Sequence, residues 1–319
     1  MGFRPGRYVA FDIGTVTCRM LVADVDERGA LRELDKQYRI TNLGEGVDAS
    51  GMLKRQAMER VAAALRRFLD IVEELAEPGD CAPTVLAVAT SAARDARNAE
   101  EFEAMLAGMG VSLAVIPGSK EAELSFKGAS IDFGGEDLVV VDIGGGSTEV
   151  IAGPAGGTPV FARSFDIGCR RMTEKLLASD PPTDAQLALA HAWVRDEMAP
   201  YFDRLRAAGF AGRRVVMVAG TATTVVGIRE RMDVYDSERV HKAVVTREEY
   251  DEVYEALRRL PLAEREQVVG LDPGRAPVIV AGLVILRTVL ELAGADSYTT
   301  SETDILHGMV LDAASDLRI

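Results

Sequence analysis

The hydrophobic pattern along the chain is one of buried strands separated by amphipathic helices. Residues 8–13 form a near-continuous apolar run that stops at Asp12-Ile13-Gly14-Thr15, and 17–24 continues with strand character. Strand following strand across a short turn predicts a hairpin rather than a strand–helix unit. A third strand is expected over 36–42, after which Gly44-Glu45-Gly46 marks a loop. Apolar residues at Val61, Leu65, Phe68, Leu69 and Val72 recur at helical spacing and predict a helix over 54–75. Strands are expected at 84–90 and 112–116, a helix at 98–109 between them, and a further helix from 120–127.

The pattern then restarts. Residues 137–143 are an apolar strand ending in Asp142-Ile143-Gly144-Gly145-Gly146-Ser147-Thr148, and strand character resumes at 149–152 and at 159–167, after a Gly-rich turn at 153–157. A helix over 183–208 is expected to break near Pro200. A strand at 214–219 runs into Gly220-Thr221-Ala222-Thr223-Thr224; helices at 247–258 and 277–292, a strand at 297–300 and a last helix from about 303 follow. The segments around Asp12 and Asp142 share one plan, 130 positions apart: apolar strand, terminal Asp, Gly and hydroxyl turn, second strand. Two copies predict duplicated domains facing each other, and ligands favour such interfaces.

Composition narrows this picture. A chain of 319 residues exceeds what one core usually holds, which favours two domains. With 48% apolar but only 6% aromatic residues, the core must be built from Val, Leu, Ile and Ala, which suits helices packed on a buried sheet. A net charge of −14 excludes a general nucleic-acid binder, whose affinity rests on Lys and Arg contacts to phosphate. It leaves room for a phosphorylated small substrate in a locally positive cleft. Cys18, Cys81 and Cys169 have no metal-like spacing and read as small apolar fillers, which fits a reducing compartment. His191, His241 and His307 form no metal motif. No long apolar region of a signal peptide is seen, and the apolar stretch at 278–286 contains Gly282 and is too short to span a bilayer. A soluble, cytoplasmic protein without membrane partners is expected.

Candidate chemistry clusters at the strand ends. Gly144, Gly145 and Gly146 let backbone amides point at an anion, and Ser147 and Thr148 add hydroxyls. Asp142 and Glu149 bracket this loop as oxygen ligands suited to Mg²⁺. The alternative is a hairpin that simply needs glycine. The first turn offers a second phosphate loop through Gly14, Thr15 and Thr17, with Arg19 beyond it. Arg19 on an apolar strand is either a phosphate ligand or a solvated edge residue. Thr90-Ser91-Ala92-Ala93-Arg94 follows a buried strand; it either binds phosphate through Arg94 or caps a helix through Ser91. Glu121 in a helix first turn is, by itself, a response to the helix dipole. The 220–224 turn suits either the approach of a base or ribose, or close packing.

In order, residues 12–21, 90–98, 117–128, 142–149, 220–224, Val240-His241 and 270–282 resemble the exopolyphosphatase and guanosine pentaphosphate phosphohydrolase (Ppx/GppA) family of the actin-like ATPase superfamily. The resemblance implies an α/β fold of two actin-like (ribonuclease H-like) domains with mixed sheets flanked by helices and the active site in the interdomain cleft. The implied domains are 1–128, with a C-terminal helix over 303–319 packing back on it, and 129–302, a short two-domain form. Glu121 matches the family's catalytic glutamate, which polarises the attacking water. Asp142 and Glu149 match its metal-associated acids, with Mg²⁺ as the expected ion and Mn²⁺ as a substitute. Arg19 and Arg94 match phosphate-holding arginines, and Gly145, Gly146, Ser147 and Thr148 match the phosphate loop. The implied activity is hydrolysis of terminal phosphoanhydride bonds of polyphosphate. The alternatives are a guanosine pentaphosphate 5′-phosphohydrolase, a sugar or acid kinase on the same fold, and a non-catalytic sensor of polyphosphate or an alarmone. Family members often dimerise, so a homodimer is among the implied assemblies. The chain departs from the family pattern at Val16, where Asn is usual, at Lys120, where a second acid is common, and over Asp304-Ile305-Leu306-His307-Gly308, where Gly-Leu-Arg-Glu-Gly is usual and His307 takes the place of Glu.

Overall fold

A computed structural model describes residues 2–77 and 81–316. The chain divides into two compact units: unit 1 comprises residues up to Gly128 together with those from Ile305 onward, and unit 2 spans Ala129–Asp304. Residues 317–319 of the expected C-terminal helix, and residues 1 and 78–80 of the expected first domain, lie outside the described residues.

Unit 1 opens with β1 (Gly2–Phe3), β2 (Gly6–Ile13), β3 (Thr17–Val25) and β4 (Leu31–Ile40), followed by α1 (Val47–Ser50) and α2 (Arg55–Glu74). Next come β5 (Thr84–Ala89), α3 (Ser91–Asp95), α4 (Ala99–Ala107), β6 (Ala114–Val115) and α5 (Gly118–Ala129). Its five-stranded sheet has the order β4-β3-β2-β5-β6. β2, β3 and β4 run antiparallel, and β5 and β6 are parallel to β2. β4 is longer than its pattern suggested. It is an edge strand whose Arg32, Glu33, Asp35, Lys36 and Arg39 obscure the apolar alternation, and such charges keep an edge from pairing with other chains. α2 lays Ala57, Met58, Val61, Ala62, Leu65 and Phe68 on this sheet at helical spacing, with Phe68 stacked on Phe11. Truncating Phe68 to Ala would cost about 3–5 kcal/mol.

Unit 2 repeats the plan with β7 (Asp137–Ile143), β8 (Thr148–Pro154), β9 (Phe161–Phe165), α6 (Cys169–Leu176), α7 (Asp184–Ala207) and β10 (Arg214–Val218). It continues with α8 (Ala219–Arg229), α9 (Ser237–Val240), β11 (Val244–Thr246), α10 (Arg247–Leu257), α11 (Leu262–Arg265), α12 (Ala276–Ala293) and β12 (Ser297–Thr300). The sheet order is β11-β12-β10-β7-β8-β9, so the same antiparallel triplet, here β9-β8-β7, leads into parallel strands. The chain then returns to unit 1 as α13 (Ile305–Ala314) and β13 (Ser315–Asp316), which pairs with β1. These are the mixed sheets flanked by helices that the resemblance implied.

Three expectations are corrected. α7 does not break at Pro200. Pro200 is exposed, so water can satisfy the carbonyl that loses its donor, while the buried stripe Val194, Met198, Tyr201, Phe202 and Leu205 holds the helix straight through it. α6 was not anticipated: it is short, and its eight residues carry two arginines and a lysine. Finally, the apolar stretch is longer than expected. Among the described residues one helix, α12, is long and apolar enough to cross a membrane, but most of it is buried as the core helix of unit 2 against α6 and α7. Gly282 does not interrupt it; a Cβ there would lie 2.6 Å from Thr221 Oγ1, so glycine admits α8.

Candidate active site

In unit 1, β2 and β3 pair so that Asp12 stands opposite Arg19. The Gly14 N–H donates to the Thr17 carbonyl at 2.9 Å and closes the turn. Arg19 Nε donates to Asp12 Oδ2 at 2.9 Å. Because β3 lies inside the sheet, the solvated-edge reading of Arg19 is wrong, and Asp12 fixes the guanidinium. The Thr15 carbonyl accepts the Gly44 N–H, and the Val16 carbonyl accepts those of Thr41 and Asn42, all at 2.9 Å. In a trans peptide the N–H points opposite to the C=O, so these bonds turn the amides of Val16 and Thr17 to the other side of the loop. Val16 is itself buried, so an apolar plug stands where the family's Asn is usual.

Arg94 lies in the last turn of α3, and Glu121 in the first turn of α5. Arg94 Nη1 donates to the Ile116 carbonyl at 3.0 Å and to Glu121 Oε2 at 3.2 Å. The N-cap of α3 is Thr90, whose side chain makes no capping bond, and Ser91 lies inside the helix, where its Oγ donates to Asp95 at 3.4 Å. The capping alternative for this segment therefore fails. Glu121 is only 8% exposed and is tied to a guanidinium, which a mere dipole-compensating surface acid would not be. Cys18 lies beside this ladder; burial, and secondarily the Asp12 carboxylate, push its thiol far above the usual range. Burial likewise raises Cys169. Both behave as the apolar fillers expected, not as nucleophiles.

In unit 2 the hairpin closes the same way, with the Gly144 N–H donating to the Ser147 carbonyl at 3.0 Å and Asp142 opposite Glu149. The carbonyls of the three glycines all bond to groups of α6. Gly144 accepts from the Cys169 N–H at 3.0 Å, Gly145 from the Arg170 N–H at 2.9 Å, and Gly146 from Arg171 Nε at 2.9 Å. By the same peptide geometry, the amides of Gly145, Gly146 and Ser147 turn together to the opposite side, the arrangement that cradles an anion. Gly168 makes this docking possible, since a Cβ there would fall 2.4 Å from the Gly145 carbonyl group. Thr148 spends its hydroxyl proton on the Ile167 carbonyl at 2.6 Å and so anchors the loop from behind.

Asp142 and Glu149 are both buried, and Ser164 on β9 donates to Glu149 Oε1 at 2.7 Å. Cross-strand partners have Cβ atoms about 4.5–5.5 Å apart, where like charges disfavour each other. Among the described residues, no group of three or more His, Cys, Asp or Glu side chains could hold a metal ion. Two buried carboxylates nevertheless fit Mg²⁺, which takes one or two protein acids and completes its shell with water and phosphate oxygens. They do not fit a closed, all-protein metal site.

Three further features bear on the sequence reading. At Gly220 an added Cβ would lie 2.1 Å from Arg275 Cζ, so a guanidinium occupies the space where a base was considered. Each histidine faces a carboxylate: His191 with Glu291 at 2.8 Å, His241 with Asp132 at 3.4 Å and His307 with Glu33 at 3.4 Å. Gly168, Arg171 and Ser164 went unrecognised. The available signal was a third Asp-Ile-Gly, at residues 166–168, just before the unanticipated helix.

Comparison with known proteins identifies the family. The family model of the Ppx/GppA phosphatase family matches residues 21–317. Exopolyphosphatase 2 of Mycobacterium tuberculosis is 38% identical over 97% of this chain and 98% of its own length. Among solved structures, an exopolyphosphatase-like protein is 33% identical with a TM-score of 0.87, covering 98% of both chains. The Aquifex aeolicus Ppx/GppA family member is 26% identical with a TM-score of 0.77, covering 97% of both. With residues 21–317 matched by the family model and a relative 38% identical over 97% of the chain, the chain belongs to the Ppx/GppA phosphatase family.

Proposed function

We propose that the chain is an exopolyphosphatase that releases orthophosphate from the end of inorganic polyphosphate. The observation that carries this reading is the Gly144–Gly146 loop: three successive carbonyls are anchored to α6 or its Arg171, which aims three successive amides at an anion. Arg19 and Arg94 add guanidinium donors for phosphate oxygens. Glu121, oriented by Arg94, accepts a proton from water as the water oxygen bonds to the terminal phosphorus. The bridging P–O bond breaks, its electron pair leaves with the shortened chain, and the proton passes from Glu121 to solvent. Mg²⁺, or Mn²⁺ in its place, held by Asp142 and Glu149, would supply positive charge against the phosphate oxygens. The resemblance implies a second candidate substrate, guanosine pentaphosphate, which the same groups would attack.

Orthophosphate release from long-chain polyphosphate and from guanosine pentaphosphate, with and without Mg²⁺, tests the reading. Release from polyphosphate that requires Mg²⁺ and falls about 10²–10⁴-fold in Glu121→Gln is expected. Release from the nucleotide alone would transfer the assignment to the second substrate, and binding without release would make the chain a sensor.

A further inference from the structure

Lys120 immediately precedes Glu121 in the first turn of α5, where an ammonium meets the positive end of the helix dipole. The chain holds it in place. Lys120 Nζ donates to Asp312 Oδ2 on α13 at 3.0 Å and lies 3.4 Å from Glu123. Lys127 donates to the other Asp312 oxygen at 2.9 Å. Lys120, Leu124 and Lys127 share one face of α5, and Gly308 and Asp312 share one face of α13. The helices meet where Gly308 has no side chain: a Cβ there would fall 1.9 Å from the Leu124 carbonyl oxygen. That approach brings Asp312 within reach of both lysines. Burial works against the Lys120 ammonium, yet Asp312 and Glu123 outweigh it and hold its pKa above the ordinary value. Burial likewise works against the Asp312 carboxylate, and Lys127 and Lys120 overcome it, so its pKa lies below the ordinary value.

Helical side chains lean toward the N-terminus of their helix. Lys120, if released, would lean back over Pro117 and Ile116, toward the carbonyl and carboxylate that Arg94 binds. We propose that Asp312 is a positioning residue for Glu121: it draws Lys120 away and leaves Arg94 as the cation that orients the base. The inference rests on Glu121 acting as the base.

The test uses the full chain and polyphosphate hydrolysis. Asp312→Ala should lower kcat about fivefold with KM unchanged, well short of the ~10²–10⁴ lost with a general base. Adding Lys120→Met should restore most of kcat while leaving Tm at or below the Asp312→Ala value, because the helix clamp stays broken. Lys120→Met alone should keep kcat. An Asp312→Ala loss that Lys120→Met does not repair would mean a purely structural clamp and overturn the proposal, as would an unchanged kcat in Asp312→Ala. Should Asp312→Ala not fold, Asp312→Asn with and without Lys120→Met makes the same comparison. Glu121→Gln separates the two levels. If it retains kcat, the base assignment and this inference both fall; if it loses kcat while Asp312→Ala does not, only this inference falls.

Discussion

The β2–β3 and β7–β8 hairpins are built on one backbone plan and opposite electrostatics. Each closes with a Gly N–H donating to a carbonyl three residues on, and each sets an Asp opposite the residue seven positions later. In the first hairpin that residue is Arg19, and the ladder neutralises itself with an ion pair. In the second it is Glu149, and two buried acids face each other. The two hairpins thus share one backbone plan, closed by the same glycine hydrogen bond, while one cross-strand position sets a guanidinium or a second carboxylate opposite the Asp.

The difference can be broken most severely at the loop. Gly168→Val should push Gly145 and Gly146 off α6, scatter the aligned amides and lower polyphosphate hydrolysis by at least about 10²-fold, the scale of losing one preorganised donor. Circular dichroism should report a folded chain, and retained turnover would show that the cradle is not used.

Next in size is a paired substitution at the equivalent acids. Asp12→Asn breaks a partly buried ion pair and should destabilise by about 3 kcal/mol. Asp142→Asn, measured without divalent ions, should leave Tm unchanged or raised, because it relieves repulsion with Glu149. Equal destabilisation by the two would refute an electrostatic difference between the hairpins. Ser164→Ala removes the donor to Glu149 and should raise the Mg²⁺ needed for half-maximal activity about tenfold, the usual scale for a group that orients a metal ligand.

The smallest effect concerns acid stability. Asp24 pairs across the first hairpin with Arg7, whose hydrogen bond, aided by Arg32 against the cost of burial, holds its carboxyl below the ordinary range. A depressed folded pKa stabilises fully above the unfolded value of about 3.9, and this is lost as pH falls through the folded value. Asp24→Asn should therefore flatten the acid limb of an unfolding profile below about pH 4, and an unaltered limb would count against that pairing.

Much of the fold was legible because its central strands are largely buried. The apolar runs at β2, β5, β7 and β10 need no partner to be recognised, and the Asp–Gly turns that end β2 and β7 punctuate them. Edges read poorly. β4 is longer than its alternation showed, β6 shorter, and β11 was missed, since charge and brevity weaken the period-2 signal. α6 carries so many charges in eight residues that helical periodicity had little room to appear.

By itself, then, the sequence determined the duplicated strand–turn–strand plan, the mainly aliphatic core and the residue types at each turn, because these follow from local periodicity and from what glycine, hydroxyl and carboxylate groups can do. Tertiary structure alone decided partnership: that Arg19 answers Asp12, that Arg94 orients Glu121, that α6 turns the Gly144–Gly146 carbonyls one way, and that Asp312 takes up Lys120. Those contacts join residues brought together by strand register and helix packing, and their energy depends on burial and distance, neither of which is written in the order of the residues.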